Sequence, residues 1–306
     1  MGMNEIVVGA DGSEHGLVAV EWAAAEAARR GAPLRVVHAV AAWLFDAQAD
    51  PRIRLVREWM RDNGEEVVRQ ALGRARARAP EVEVSGGQVG GQPAEVLIRE
   101  SRGALMVVVG SHGSGGLTGL LLGSVALQVT SHASCPAVAV RPDRPGTAEP
   151  EPAEGTPDAG EVVVGVDGSP GSAAALDFAF EEAAVRGAPA RAVMAWSHPA
   201  SERPGDMQPL VFDPVVVTEE QERALAEFVA PWEAEYPGVP FIRQVVHARP
   251  TRVLAEASAR ARLLVVGSRG RGGFSGLVLG SVGHAMLHHA RCPVAVVHAS
   301  RGTPAE

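Results

Sequence analysis

Two glycine-rich segments have residue types and spacing that suit anion binding. Each has the pattern Gly-x-x-Gly, nine further residues, and Gly-Ser; the segments occupy 110–124 and 267–281. Glycine lets a backbone adopt positive φ and approach a ligand closely, while free N–H groups and a following helix N-terminus attract an anion. One such segment would be weak evidence, because glycine also closes turns and packs helices on sheets. Two copies in matching contexts predict a phosphate-binding loop in each half of the chain.

Two aspartates are the candidate carboxylates of these sites. Asp11 and Asp167 each follow a short apolar run and precede Gly-Ser. A carboxylate at the end of a strand could hold a ribose hydroxyl or a metal ion. The same Asp-Gly-Ser context would also allow each aspartate to cap the next helix, so both readings stay open.

Lysine does not occur in the chain, and all 28 basic residues are arginine. This absence excludes the lysine of Walker-type loops, the kinase strand lysine and Schiff-base chemistry. Phosphate charge must therefore be met by backbone N–H groups, arginine or a metal ion.

The elements that must position these residues occur twice. Val7-Val-Gly-Ala-Asp-Gly-Ser13 returns as Val163-Val-Gly-Val-Asp-Gly-Ser169, and the glycine segments follow at nearly the same offset. In the first half, strands are predicted at Ile6–Gly9, Leu34–Val40, Leu105–Gly110 and Ala137–Val140, with a weaker one over Glu81–Val84 and Gln88–Val89. Helices are predicted at Ser13–Arg30, within Pro51–Ala79, and at Pro93–Ser101 and Ser124–His132.

Alternation of strands and helices predicts an α/β fold. We expect two doubly wound, five-stranded parallel sheets in tandem, Rossmann-like, with strand order 3-2-1-4-5 in each. Ligands of such sheets bind beyond the carboxyl ends of the strands, where the winding direction reverses. Asp11 then faces Gly110, and Asp167 faces Gly267, so a carboxylate opposes a phosphate loop in each half. This arrangement predicts a nucleotide site.

Length and composition fit two globular domains. We assign the first to residues 1–142 and the second to 161–306, with a linker at 143–160, because 141–160 holds five prolines and five acidic residues. A net charge of −8 argues against nucleic acid or an acidic membrane as a partner. No apolar run is long enough to span a bilayer and there is no sign of a targeting segment, so we expect a cytoplasmic protein.

Cysteine and histidine offer weaker candidates. Cys135 and Cys292 stand at equivalent positions and are expected to be buried thiols; a disulfide or a redox role is the less favoured alternative, since the chain has no Cys-x-x-Cys. His284 and His288 lie one helical turn apart, but no carboxylate or cysteine completes a metal set. We therefore expect no metal held by the protein alone.

On these motifs, the chain resembles tandem universal stress proteins of the ATP-binding branch, as found in actinobacteria. The resemblance covers both halves and implies ATP, with Mg²⁺ on its phosphates, in each domain. The family pattern implies that the aspartates contact the adenosine end and that Ala39 and Ala195 read the adenine edge. It places the glycine segments under the ribose and phosphates. The cofactor-binding residues implied are Gly9, Asp11, Ala39, Gly110, Gly113, Gly123, Ser124 and Val125, and Gly165, Asp167, Ala195, Gly267, Gly270, Gly280, Ser281 and Val282.

Three functions agree with these motifs. The favoured one is a regulatory nucleotide sensor in stress response, without catalytic residues, whose ATP-bound state changes its affinity for a protein partner that the sequence does not name. The alternatives are a slow ATPase or phosphotransferase that uses the same pockets, and an interaction scaffold without nucleotide. Phosphoryl transfer needs a positioned base and dense positive charge, and the sequence provides neither.

The last strand of each half is also predicted to make a contact. Ala137–Val140 and Val294–Val297 are apolar and would lie at sheet edges, where unpaired backbone groups favour pairing. We expect these edges to pair and give an intrachain pseudo-dimer, as the family resemblance also implies; the sequence leaves room for a homodimer as well.

Overall fold

The chain folds into two compact units, Met1–Thr147 and Ala148–Glu306. The computed structural model describes residues 4–45, 53–113, 122–141, 160–197, 214–271 and 278–299. Of the predicted linker at 143–160, all but Gly160 lies outside the described residues.

The first unit alternates strands and helices in the predicted order. Its strands are β1 (Glu5–Gly9), β2 (Leu34–Val40), β3 (Val84–Gly90), β4 (Ala104–Gly110) and β5 (Ala137–Val140). Its helices are α1 (Glu14–Arg30), α2 (Arg54–Arg78), α3 (Pro93–Glu100) and α4 (Ser124–His132), with short 3-10 turns at Ala42–Phe45 and Ser101–Gly103.

The sheet of this unit is parallel and has the predicted order β3-β2-β1-β4-β5. The chain therefore winds outward from β1 to β3 and returns through β4 to β5. Because crossovers between parallel strands are right-handed, this reversal places α1 and α2 on one face of the sheet and α3 and α4 on the other. The contacts agree, since α1 packs on α2 and α3 packs on α4.

The third strand is where the sequence prediction was wrong. One continuous strand, Val84–Gly90, replaces the two segments predicted around Glu81–Val84 and Gln88–Val89. Gly86 and Gly87 interrupt the apolar alternation, which hid the strand. They still pair with β2 through backbone atoms, and a methyl group on Gly86 would lie 2.7 Å from the Val36 carbonyl oxygen.

The second unit repeats this architecture. Its strands are β6 (Glu161–Gly165), β7 (Ala190–Trp196), β8 (Phe241–His247), β9 (Ala261–Gly267) and β10 (Val294–Val297), in the parallel order β8-β7-β6-β9-β10. Its helices are α5 (Pro170–Arg186), α6 (Pro214–Glu235), α7 (Pro250–Ala257) and α8 (Ser281–His289).

Central strands form the core of each unit. The inner residues of β1 and β4 are buried, as are their counterparts in β6 and β9. Ser13 caps the N-terminus of α1, because its Oγ accepts the Gly16 N–H at 3.0 Å, and Gly31 caps the C-terminus with φ 58°. Helix α5 uses Ser169 and Gly187 in the same way. These buried strands and capped helices fix the carboxyl ends of β1 and β4, and of β6 and β9, where the candidate sites lie.

Candidate functional site

Each unit has a pocket at the carboxyl ends of its central strands. The first has a volume of about 410 Å³ and lies beyond β1, β2 and β4. All eight residues predicted for the first half line it, namely Gly9, Asp11, Ala39, Gly110, Gly113, Gly123, Ser124 and Val125.

The second pocket has the same volume of about 410 Å³ and the equivalent position. All eight residues predicted for the second half line it, namely Gly165, Asp167, Ala195, Gly267, Gly270, Gly280, Ser281 and Val282. Volumes of this size are in the ordinary range for small-molecule sites. The fold therefore brings each predicted set together; whether the sets bind nucleotide stays a prediction.

The two aspartates support the start of a helix and also line a pocket. Asp11 Oδ1 accepts hydrogen bonds from the Ser13 backbone N–H at 3.0 Å and from Ser13 Oγ at 2.6 Å. Ser13 is itself the N-cap of α1, so the alternative in which the aspartate caps the helix was wrong in its detail. Asp11 instead orients the cap, and its second carboxylate oxygen lies beside Gly113 in the pocket.

Asp167 accepts hydrogen bonds at both of its carboxylate oxygens. Its Oδ1 accepts the Ser169 N–H at 3.0 Å, and its Oδ2 accepts the Arg271 N–H at 2.9 Å. Burial alone would raise the pKa of Asp167, but hydrogen bonds from Ser169, Arg271 and Ser172 outweigh burial and hold that pKa below its usual value. A fixed carboxylate thus stands next to Gly270 in the second loop.

The loop glycines are required for close approach and not for positive φ, which corrects the sequence interpretation. Of the twelve glycines in the two segments, the structure describes six, and none of these six lies in the left-handed region. Gly12 and Gly168, in the Asp-Gly-Ser turns, do lie there, with φ 80° and 75°. A methyl group on Gly110 would lie 2.9 Å from the His15 carbonyl oxygen, and one on Gly267 would lie 2.6 Å from that of Gly171. These two glycines let a strand end pass over the first turn of a helix.

The last glycine of each segment stands at the start of a helix. Gly123 is the N-cap of α4 and Gly280 is the N-cap of α8, neither with a side-chain cap. Ser124 and Ser281 are the first helical residues and not the N-caps. The Gly123 N–H donates to the Ser111 carbonyl at 2.7 Å, which joins the described start and end of the segment. Ser124 and Val125, the first residues of α4, line the pocket, so the N–H groups at this helix N-terminus can favour an anion there.

An apolar wall of each pocket was missed by sequence reasoning. Val37 and Leu97 line the first pocket, and Val193 and Leu254 line the second. Their pattern in the sequence is that of ordinary core residues, so no local signal distinguishes them. Together with the glycine segment, they give each pocket an apolar end and an end of backbone donors.

His38 was also missed. It lines the first pocket, and its Nδ1 lies 2.7 Å from the carbonyl oxygen of Ala10 in the first loop. A polar residue near the carboxyl end of a strand, at the edge where ligands bind, was a usable signal. The equivalent residue of the second half is Met194, so this contact belongs to the first pocket.

The described residues contain no group of three or more histidine, cysteine, aspartate or glutamate side chains that could hold a metal ion. Among the described helices, none combines the length and apolar character needed to cross a bilayer.

Sequence comparison places both halves in one family. The model of the universal stress protein family matches residues 3–141 and again 160–298. The chain is 40% identical over 299 residues to universal stress protein Rv2005c of Mycobacterium tuberculosis, covering 96% of this chain and 97% of that protein. It is 39% identical over 299 residues to universal stress protein Rv2623 of the same organism, with 96% of each chain covered.

Structural comparison agrees on the fold. A universal stress protein from Archaeoglobus fulgidus superposes with a TM-score of 0.66 at 18% identity, over 96% of this chain and 98% of that one. Three findings agree: the family model matches twice, the relatives are about 40% identical along nearly the whole length, and the fold is shared. The chain belongs to the universal stress protein family and carries two of its domains in tandem.

Proposed function

We propose that the protein is an ATP-binding regulator of a stress response, with one nucleotide in each domain. The observation that carries this proposal is the composition of the two pockets. Each combines an apolar slot, a fixed carboxylate, and a glycine segment that leads into a helix N-terminus without a side-chain cap. A purine, a ribose and a phosphate chain need these three environments in this order.

The geometry of the loops supports a phosphate ligand. A methyl group on Gly113 would lie 2.7 Å from Asp11 Oδ2, and one on Gly270 would come still closer to Asp167 Oδ2. Each loop is therefore packed so that no side chain stands between backbone and pocket. With lysine absent from the chain, backbone donors and helix dipoles would supply the phosphate contacts, and Mg²⁺ would offset the remaining phosphate charge.

The pocket chemistry favours binding over turnover. Among the described lining residues, Asp11 is the carboxylate of the first pocket and Asp167 that of the second. Each of these carboxylates already accepts hydrogen bonds from its own turn. Such an acceptor is poorly placed to act as a base toward water, and rapid phosphoryl transfer also needs dense positive charge around the γ-phosphate. We therefore propose that occupancy carries the signal, and that any hydrolysis is slow.

The test begins with the nucleotide content of the purified protein. We expect denaturation of the purified protein to release ATP, which mass spectrometry identifies. Titration calorimetry of the nucleotide-free protein should show two sites that bind ATP more tightly than AMP. Ligand at 100 times its Kd should stabilise a domain by about 2.7 kcal/mol. Identical thermal melts with and without saturating ATP would favour the scaffold alternative. Turnover of about one per second or faster would favour the enzyme.

Two further expectations belong to this proposal. The edge strands β5 and β10 are still predicted to pair within the chain, and a homodimer is a second arrangement to test by light scattering. A cytoplasmic location likewise stays a prediction. The regulated partner would be a protein that distinguishes the nucleotide-bound state from the empty one, since regulation requires different affinities for the two states.

A further inference from the structure

The side of the first pocket that β2 forms contains a histidine that the second half lacks. His38 stands near the end of β2 and lines the pocket together with its neighbours Val37 and Ala39. The equivalent residue of the second half is Met194, which is buried. The two pockets have the same volume and the same glycine pattern, so this position is a difference within matched surroundings.

Hydrogen bonds fix the position of this histidine. His38 Nδ1 lies 2.7 Å from the Ala10 carbonyl oxygen, and the Ala10 N–H donates to the Val37 carbonyl at 3.0 Å. These two bonds tie the first loop to β2. The second half repeats the backbone bond, but a methionine side chain has no N–H with which to make the other.

The contact with Ala10 decides which nitrogen of the ring accepts a hydrogen bond. A carbonyl oxygen can only accept, so His38 Nδ1 carries a proton and donates. In the neutral imidazole the other nitrogen, Nε2, then has a lone pair and accepts. The side chain therefore offers the first pocket a hydrogen-bond acceptor, whereas the thioether of Met194 is at most a weak one.

The strand order separates this acceptor from the glycine segment. β1 lies between β2 and β4, and neighbouring strands are about 4.8 Å apart, so the ends of β2 and β4 are about 10 Å apart. Gly110 ends β4, and Asp11 follows β1. A nucleotide whose phosphates meet the glycine segment and whose ribose meets Asp11 therefore has its base on the side of His38.

We propose, resting on the proposed nucleotide function, that His38 makes the first pocket more selective than the second for a purine with an exocyclic amino group. The amino group of adenine is a donor, and it pairs with Nε2. The oxo group that replaces it in hypoxanthine or guanine is an acceptor, which removes the bond and sets two lone pairs against each other. The second pocket recognises the base only through groups that both pockets share.

The experiment measures each pocket alone in the nucleotide-free full chain. Gly270→Glu blocks the second pocket and Gly113→Glu blocks the first, because a side chain at either position enters the space beside the pocket aspartate. Titration calorimetry with ATP and with inosine triphosphate, each with Mg²⁺, gives the affinities. Inosine triphosphate carries an oxo group in place of the amino group, and a proton on the neighbouring ring nitrogen. Measurements are made at about pH 8, where imidazole side chains are ordinarily neutral.

We expect the first pocket to prefer ATP over inosine triphosphate by about tenfold more than the second pocket does, which is the effect of one hydrogen bond. His38→Met copies the second half and should reduce the preference of the first pocket to that of the second, mainly by weakening ATP binding. The matched control is His132→Met. His132 Nδ1 also lies 3.0 Å from a carbonyl oxygen, that of Gln128, but at the C-terminal end of α4. This control should leave the preference of both pockets unchanged.

Equal preferences in the two pockets, or a His38→Met variant that weakens ATP and inosine triphosphate by the same factor, would overturn the inference while leaving nucleotide binding intact. Absence of binding by either pocket would instead overturn the proposed function. Urea unfolding verifies that each variant is folded. If His38→Met does not fold, the comparison between the two pockets still decides.

Discussion

Replacing Gly270 by alanine should weaken the second pocket through a defined displacement. The new methyl group would overlap Asp167 Oδ2, and that oxygen must retreat by about 1 Å to reach an ordinary contact. The Arg271 N–H donates to this oxygen at 2.9 Å, so the same retreat stretches that bond beyond hydrogen-bonding distance. The substitution therefore releases the loop from the carboxylate.

The expected magnitude follows from that one bond. A hydrogen bond to a charged group contributes about 1.5–3 kcal/mol, and the half-buried position of Asp167 favours the lower value. About 1.5 kcal/mol corresponds to roughly tenfold weaker ATP binding by the second pocket. Gly113→Ala should cost the first pocket less, because its methyl group would stand 2.7 Å from Asp11 Oδ2 and displace it less.

Calorimetry with MgATP measures the effect, and Gly187→Ala supplies the control. Gly187 ends α5 with φ 59°, and a methyl group there meets no atom within 4 Å. Alanine in that left-handed conformation costs about 1–2 kcal/mol of stability without touching the pocket. If Gly187→Ala weakened ATP binding as much as Gly270→Ala, or if Gly113→Ala had the larger effect, the displacement argument would be wrong.

Three further predictions concern titration and packing. Burial raises the pKa of Cys135 and of Cys292 from 9.0 to about 12, which lowers the thiolate fraction at pH 8 by about a thousandfold. Iodoacetamide should therefore label the folded protein slowly and the unfolded chain fast, because the thiolate is the reactive form. Equal labelling rates would contradict this. The pKa of Asp167 is lowered in the folded state, so the carboxylate stabilises the fold above about pH 4 and this stabilisation is lost as pH falls further. The stability lost in Asp167→Asn should therefore be constant from about pH 8 to 5 and shrink only below about pH 4. Urea titrations in which the loss already shrinks between about pH 7 and 5 would refute the assignment. Gly267→Ala should destabilise its domain by about 1–3 kcal/mol, because its methyl group would meet backbone atoms of Gly171 at 2.6 and 2.7 Å that cannot rotate away; denaturation midpoints equal to those of the wild type would show that the strand end has room.

Much of the candidate site could be predicted because its residues stand at the carboxyl ends of strands, which short sequence patterns reveal. The fold brings these strand ends to one edge of the sheet, so Asp11 and Gly110 line one pocket although they are 99 positions apart in the chain. The residues of the apolar wall could not be predicted in this way. Leu97 is one of several apolar residues on the buried side of α3, and only the packing of that helix decides that it faces the pocket.

The sequence alone determined the repeat, the fold class and the strand order, and the family resemblance implied eight of the lining residues of each pocket. The repeat, the fold class and the strand order follow from local periodicity, from turn residues and from the right-handed rule for crossovers, which act on short segments. Tertiary structure decided why the loop glycines are needed, which oxygen of each aspartate is held, and that His15 faces His112 while Gly171 lies under the Arg269 carbonyl. Such contacts join residues about 100 positions apart, and they depend on where two backbones come to rest within a fraction of an ångström, which no pattern in a single segment records.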